Sequence, residues 1–367
     1  MHEVLSNRRY SGIKPPLPPR VDNNAMANAF QKMLAERACI LADGATGTSF
    51  FGMGLQSGDA PELWNVDYPE RVAQHYQSFI NAGSELVLSN SFGGTRYRLK
   101  LHDAQDRVAE LNQAAARILR RVVDDCDREI VVAGSMGPTG EILAPLGSLS
   151  HEDAVAAFAE QALALQQGGA DVLWIETMSS REEVECAVKG AEQANLPIVF
   201  TMSFDSNGRT MMGVGAADLM QLNHRLGVHA CGTNCGIGAA EVVATVVNLQ
   251  ACKPADGDDV ILVAKANCGI PEFVDGEIVY NGTPEIMARY VVLARDAGAR
   301  IIGGCCGTTP EHVAAMRHAL DNTPPGAAPS VDEIVEQLGD ISAGARAQAS
   351  GQHQVETRGS ARRRRRR

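Results

Sequence analysis

Three cysteines stand where they could share one task. Two are adjacent, Cys305 and Cys306, within Gly303-Gly304-Cys305-Cys306-Gly307; the third, Cys235, closes Gly232-Thr233-Asn234-Cys235. Neighbouring cysteines do not easily bond to each other, but two thiolates flanked by glycines can both reach one soft metal ion. Zinc binds thiolate tightly and prefers four ligands, so three cysteines would leave one place for water, a weak protein ligand or substrate. That open place separates a catalytic site from a closed structural one. Cys268 competes with Cys235 for the third position, whereas Cys39, Cys126, Cys186 and Cys252 read as packing or surface residues. Nine cysteines, an odd number in a long chain without a secretory leader, point to metal binding or catalysis in a reducing compartment rather than to disulfides.

Elements of regular spacing must bring these residues together. Short apolar, β-branched runs recur at Ile40–Gly44, Glu85–Asn90, Ile130–Ser135, Asp171–Thr177, Ile198–Ser203, Ala230–Asn234, Val260–Asn267 and Arg300–Gly304. Amphipathic stretches lie between them: Glu70–Ala82, Asp106–Val123, Glu152–Gln167, Glu182–Ala194, Ala217–Leu226, Ala239–Leu249 and Thr283–Ala297. Strands alternating with helices imply a parallel sheet, and eight units imply a closed (β/α)8 TIM barrel. The reading is α/β: a single barrel domain over 29–321, an extended proline-rich N-terminal arm over 1–28, and a largely disordered basic C-terminal tail over 322–367. One short helix is expected within that tail, at Val331 to Leu338.

In such barrels the chemistry sits at the C-terminal strand ends. The unusual loops of this chain fall there, including Asp43-Gly44, Asn90-Ser91-Phe92-Gly93, Glu176-Thr177, Asn234-Cys235 and Asn267-Cys268. Glycine after a barrel strand is often only a turn former, so no single loop decides the matter. Their convergence on one rim does.

Composition narrows the partners. A net charge of -11 argues against a nucleic-acid-binding body, and no apolar run is long enough for a membrane span, so a cytoplasmic protein is expected. The six closing arginines, Arg362 to Arg367, read as a solvated tail, with docking to an acidic partner the sharper alternative. An oligomer is compatible with all of this.

The segments DGATGT (43–48), SNSFGG (89–94), GSMGPTGE (134–141), IET (175–177), GTNCG (232–236), KANCGIPEFVDGEIVY (265–280) and GGCCGTTPEH (303–312) resemble the homocysteine S-methyltransferase family. That family includes betaine–homocysteine methyltransferases and the homocysteine module of cobalamin-dependent methionine synthase. The resemblance implies Zn2+ on Cys235, Cys305 and Cys306, with Cys268 of second rank. It implies that Asp43 and Gly44 line the homocysteine pocket and that Glu176 holds the substrate's amino group. Asn234 would orient the site or transiently fill the fourth metal position. Zinc would deprotonate the homocysteine thiol, and the thiolate would attack a methyl group in line.

The donor is less legible. Betaine or a related onium compound calls for aromatic faces. Gly93 and Thr177 stand where the animal betaine enzymes carry tyrosines, so a different cage would need Trp64, Tyr68, Phe92 or Tyr97. A methyl-corrinoid would have to ride on a separate protein, since the stretch after 321 is too short for a cobalamin- or folate-binding domain. S-methylmethionine and S-adenosylmethionine stand behind these two. The rival readings are a non-catalytic zinc-binding barrel or scaffold subunit, closed by Cys268, and a zinc hydrolase. The latter would want histidine ligands, whereas His75, His102 and His312 sit in helix-like or surface contexts.

Overall fold

The computed structural model describes residues 28–205, 207–253, 260–269, 271–274 and 277–351. Strands follow in the order β1 (Ile40–Leu41), β2 (Leu86–Leu88), β3 (Val131–Met136), β4 (Val172–Met178), β5 (Ile198–Met202), β6 (Ala230–Cys235), β7 (Ile261–Ala266), β8 (Pro271–Val274), β9 (Glu277–Tyr280) and β10 (Ala299–Gly304). Eight of them form one parallel sheet, ordered β1-β10-β7-β6-β5-β4-β3-β2. A parallel bridge between Ala42 and Leu86 joins its ends, with Glu85 N donating to Leu41 O at 2.7 Å and Asp43 N to Leu86 O at 3.0 Å. The sheet is therefore a (β/α)8 barrel, with all eight expected strands in place.

The expected helices are present to within a few residues, as Pro69–Asn81, Val108–Asp124, His151–Gly168, Arg181–Ala191, Ala216–Leu226, Ala239–Ala251 and Pro284–Asp296; Pro310–Asn322 follows β10. Their starts are the ones local chemistry favours. Ser150, Ser180 and Thr283 each accept a backbone N–H of the first turn through the side chain, and proline opens three of these helices.

Side chains alternate across each strand, so every second residue points into the barrel. The lower inward positions are apolar. Ile40, Leu86, Val131, Val172, Trp174, Val199, Val263 and Ile301 form one cluster, which Phe30 and Met33 of the helix Ala29–Glu36 close from below. The same inward parity higher up becomes polar: Ser135 on β3, Glu176 on β4, Thr201 on β5, Asn234 on β6 and Lys265 on β7, all buried. The barrel thus carries a dry floor and a polar upper layer directly beneath the loops. β6 fits between β5 and β7 because Gly232 faces the Val263 carbonyl, where no Cβ has room.

The antiparallel pair β8–β9 interrupts the unit between β7 and its helix, a stretch to which the sequence pattern assigns no element. One feature departs from expectation. The C-terminal segment is ordered further than a largely disordered tail would be: the helix Val331–Leu338 is followed by a second, Ala343–Ala349. Ile334 and Ala345 are fully buried, Ser342 bonds the buried Glu241 through N (2.9 Å) and Oγ (2.6 Å), and Gln348 donates to Gly208 O at 3.0 Å. The segment is held because it buries apolar surface and satisfies a buried carboxylate. The arginine run and residues 1–27 of the arm lie outside the described residues. Among the described residues, no helix is long and apolar enough to cross a membrane.

Candidate metal centre and substrate pocket

Cys235 ends β6, and Cys305 and Cys306 follow β10 after one intervening strand, β7. The three Sγ atoms all lie within 4.8 Å of one another, and Cys235 and Cys306 are 4.0 Å apart. Backbone contacts fix the loops. Cys305 N donates to Ala266 O at 2.7 Å. Asn267, just past β7, accepts from Cys306 N at 3.0 Å and donates to Gly236 O at 2.8 Å. One side chain thus ties the Cys235 loop to the Cys305–Cys306 loop. Cys235 itself is held at φ +63°, a region unfavourable for a residue with a Cβ.

Cys268 takes another course. Its N–H donates to Cys306 O at 2.9 Å and its thiol to Gly282 O at 3.2 Å, so it braces the loop and stays out of the sulfur group. A site closed by four cysteines is not what the structure builds. Histidine is absent from the group too. His75 is packed among Phe50, Tyr76 and Phe79, and burial lowers its pKa to about 3; His312 bonds Thr309 and Gly282 at the start of its helix. His102 lines the cavity without joining a ligand-like cluster among the described residues.

The thiols resist ionising on their own. The neighbouring Cys305, together with burial, pushes Cys235 up to about 12; contact with Cys235, and then burial, pushes Cys306 up to about 11. Contact with Cys235 favours the Cys305 thiolate, but Cys306 and burial outweigh it and raise that group as well. Three soft donors that repel one another as anions, yet converge, are what a divalent soft cation compensates. The donor set fits zinc, with room for one more ligand.

The sulfurs lie in the wall of a cavity of about 390 Å³, which Gly44, Thr48, Phe92, Glu176 and Lys265 also line. Glu176 is buried and accepts from Ser135 Oγ at 2.5 Å. Burial raises its pKa, against the pull of Lys265 and Ser135. Gly44 is required by space: a Cβ there would sit 2.5 Å from Thr308 O and 2.7 Å from the Phe79 ring. Asp43 is 1% exposed and lies beneath the surface layer, where Oδ2 accepts from Leu88 N at 2.7 Å and Oδ1 meets Lys265 Nζ at 2.5 Å. Asn234 is fully committed. Its Oδ1 accepts from Thr177 N (2.8 Å) and Thr201 Oγ1 (2.6 Å), while Nδ2 donates to Thr177 Oγ1 (2.7 Å) and reaches Cys305 Sγ at 3.8 Å. That clamp holds β-branched Thr177 at φ +62°.

Several residues of this site escaped the sequence reading. Lys265 belongs to an otherwise apolar strand, and nothing in its spacing shows which carboxylate it meets. Asn267 was noted only as part of a loop tip. Tyr280, brought by β9, hydrogen-bonds the Cys306 sulfur; the Asp-Gly pair at 275–276 between two short apolar runs is a hairpin pattern that could have announced its approach. Glu62 is buried in the cavity wall, where Oε1 accepts from Gly93 N at 2.6 Å and burial raises the carboxyl pKa. The alternative aromatic cage does not assemble. Trp64 is buried beside Phe50, Tyr68 lies against Trp64 and Arg71, and of the four residues considered only Phe92 lines the cavity, with Phe51 the other aromatic there.

Comparison with known proteins agrees with this geometry. The chain is 28% identical over 306 residues to the methionine synthase of Mycobacterium tuberculosis and 29% identical over 312 residues to that of Mycobacterium leprae. These matches take in 79% and 80% of the chain but 25% of each relative, so the chain spans about a quarter of their length. The Escherichia coli homocysteine methyltransferase MmuM, in its metallated form, superposes with a TM-score of 0.65 at 24% identity, over 79% of this chain and 99% of that one, a likeness of fold. A model of the family described as homocysteine S-methyltransferase matches residues 40–320, from β1 to the helix after β10. With both cysteine elements inside that match and meeting at one wall of the barrel mouth, the chain belongs to the homocysteine S-methyltransferase family.

Proposed function

We propose that the chain methylates homocysteine to methionine, with zinc held by Cys235, Cys305 and Cys306. The observation that carries this is the convergence of three sulfurs within 4.8 Å in the wall of a cavity whose other lining includes Glu176. A protein of related fold is also known in a metallated form. Zinc bound there would have one coordination place left and would hold a thiol in it as thiolate, the nucleophilic form.

The chain's own residues orient the reaction. Glu176, with one oxygen on Ser135, offers the other to the substrate's ammonium group. Asn234 keeps Thr177 and the Cys305 loop in register through its four contacts. Holding the amino-acid end in place aligns sulfur with methyl, and such positioning contributes roughly several kcal/mol. The thiol proton leaves first. The S–CH3 bond then forms as the bond from methyl to its carrier breaks, and the carrier departs with the electron pair.

For the donor, we favour a methyl-corrinoid delivered on a macromolecular carrier. The loops after β1, β2, β3 and β5 expose Phe51, Phe92, Ile142, Leu146, Met211 and Met212 around the C-terminal rim, an apolar surface suited to a macromolecular carrier. Betaine, dimethylsulfoniopropionate or S-methylmethionine would instead be expected in an aromatic cage. The nine free thiols suit a reducing compartment, and we place the protein in the cytoplasm.

Cys305→Ala and Cys306→Ala should each lose zinc on dialysis and lose methionine formation by at least ~1,000-fold, a loss of about 4 kcal/mol of transition-state stabilisation. Metal analysis alongside a donor panel of betaine, dimethylsulfoniopropionate, S-methylmethionine and a methylated corrinoid protein checks both points. Full activity in a zinc-free variant would sink the metal reading, and turnover with an onium donor alone would sink the corrinoid one.

A further inference from the structure

Methyl transfer at this site poses a problem of selectivity. All three cysteine sulfurs line the cavity through which the methyl group must come. As ligands of zinc they are thiolates, and a thiolate is a nucleophile whether it belongs to substrate or to protein. A methyl group placed on Cys306 would turn an anionic ligand into a neutral thioether and spoil the metal site.

Each protein sulfur carries a hydrogen-bond donor. Tyr280 donates its phenol proton to Cys306 Sγ, Asn267 bonds Cys235 Sγ, and Asn234 Nδ2 reaches Cys305 Sγ at 3.8 Å. These donors come from β9, from the residue after β7 and from β6. Asn267 gives an amide proton to Gly236 O at 2.8 Å as well, and Asn234 gives one to Thr177 Oγ1 at 2.7 Å. An amide has two protons and a phenol one, so these three side chains are fully committed before a fourth sulfur arrives.

The phenol is fixed from both sides. Its ring lies on the backbone of Gly307, the residue after Cys306, where no Cβ has room. Two residues beyond Tyr280, Gly282 N donates to Cys268 O at 3.0 Å, and Gly282 O meets the Cys268 thiol and His312 Nε2, each at 3.2 Å. A hydrogen bond to a thiolate is charge-assisted and draws electron density off the sulfur. Attack on methyl needs that same electron density, so a bonded sulfur attacks more slowly.

We propose that Tyr280, Asn267 and Asn234 quench the three ligand sulfurs, so that the methyl group goes to the substrate thiolate and not to the protein. This rests on the zinc reading above and goes beyond it. Tyr280 touches a ligand sulfur rather than the reacting atoms and is a positioning residue. Loss of its bond opens a side reaction. An S–CH3 bond forms on Cys306 Sγ as the bond from methyl to its carrier breaks, and the carrier departs with the electron pair.

Methyl iodide is a suitable probe, because iodide leaves without needing a donor subsite. Zinc-loaded protein without homocysteine is exposed to it, and methylation of each cysteine is followed by peptide mass mapping, with the half-buried Cys126 as internal reference. Tyr280→Phe keeps the ring on Gly307 and removes the proton. Its Cys306 should be methylated about 10-fold faster, the low end for losing a hydrogen bond to a charged group, with Cys235 and Cys305 unchanged. Asn267→Asp removes the donor to Cys235 and should raise methylation there instead. Where either variant sheds zinc, its cadmium-loaded form is measured in the same way. An unchanged rate at Cys306 in Tyr280→Phe, or an equal rise at all three sulfurs, overturns the assignment and leaves the zinc reading standing. Failure of the unaltered protein to hold zinc overturns both.

Discussion

Buried among the strand ends, Glu176 feels two opposed influences. Loss of water raises its pKa, and the Lys265 ammonium with the Ser135 hydroxyl lowers it, burial prevailing. In the proposed role Glu176 must be ionised to hold the substrate's ammonium group, so function should be lost, as pH falls, at a value above the usual carboxylate range. The acid limb of kcat/KM for homocysteine should lie there. Lys265→Met removes the cation that favours the ionised form, so the limb should move to still higher pH; profiles for the two proteins that coincide would contradict this electrostatic account. The same residue scale explains why the cysteines belong together. As thiols they are poor acids, each disfavouring ionisation of a neighbour, and a soft dication reverses that balance. Cys268, indistinguishable from Cys235 by residue type, is separated from it by direction alone: its thiol turns to Gly282 O.

At the scale of elements, the site depends on how three loops are joined. Asn267 accepts from the Cys306 backbone and donates to the Gly236 carbonyl, spanning the ends of β6 and β10 from its position after β7. Outer residues that aim metal ligands are commonly worth 10- to 100-fold in metal affinity. Asn267→Ala should weaken zinc retention by about that factor, read by competition with a chelator, while the far-ultraviolet spectrum stays that of the barrel. Asn267→Asp retains the acceptor for Cys306 and loses the donor to Gly236, so it should fall between. Zinc retention equal to that of the unaltered protein in both variants would show that the backbone alone sets the loops. Much of this scale could be read from the sequence: β-branched runs and amphipathic periods located all eight barrel strands and most of the helices. The β8–β9 pair and Tyr280 could not be placed in the same way, because a short hairpin inserted into a βα unit leaves the flanking periodicity intact.

For the whole molecule, the question is where the folded body ends. The family match stops at residue 320, yet Ile334 and Ala345 are buried and Ser342 satisfies Glu241 beyond it. A chain ending at 351 should melt with the full-length protein. One ending at 330 exposes the sites of Ile334 and Ala345, the former alone worth about 2 kcal/mol of burial, and leaves Glu241 buried without those partners. Its melting temperature should fall by several degrees, at about 2–4 °C per kcal/mol for a domain of this size or somewhat smaller. Equal melting of both chains would mean that the terminal helices only rest on the barrel. Methyl transfer from a corrinoid protein, measured on the chain ending at 351, separates this structural role from any contribution of the arginine run.

The order of residues by itself determined the alternation of strand and helix, and hence the barrel, since both periodicities are local and repeat eight times. It also determined which loops carry unusual chemistry, and the family motifs named the three zinc-ligand candidates among nine cysteines. Tertiary structure decided which side chains share a contact across the barrel: Lys265 with Asp43, 222 positions apart, and Asn234 with Thr177, 57 apart. Those pairings depend on strand register and on inward direction at the upper layer, and no local pattern encodes them.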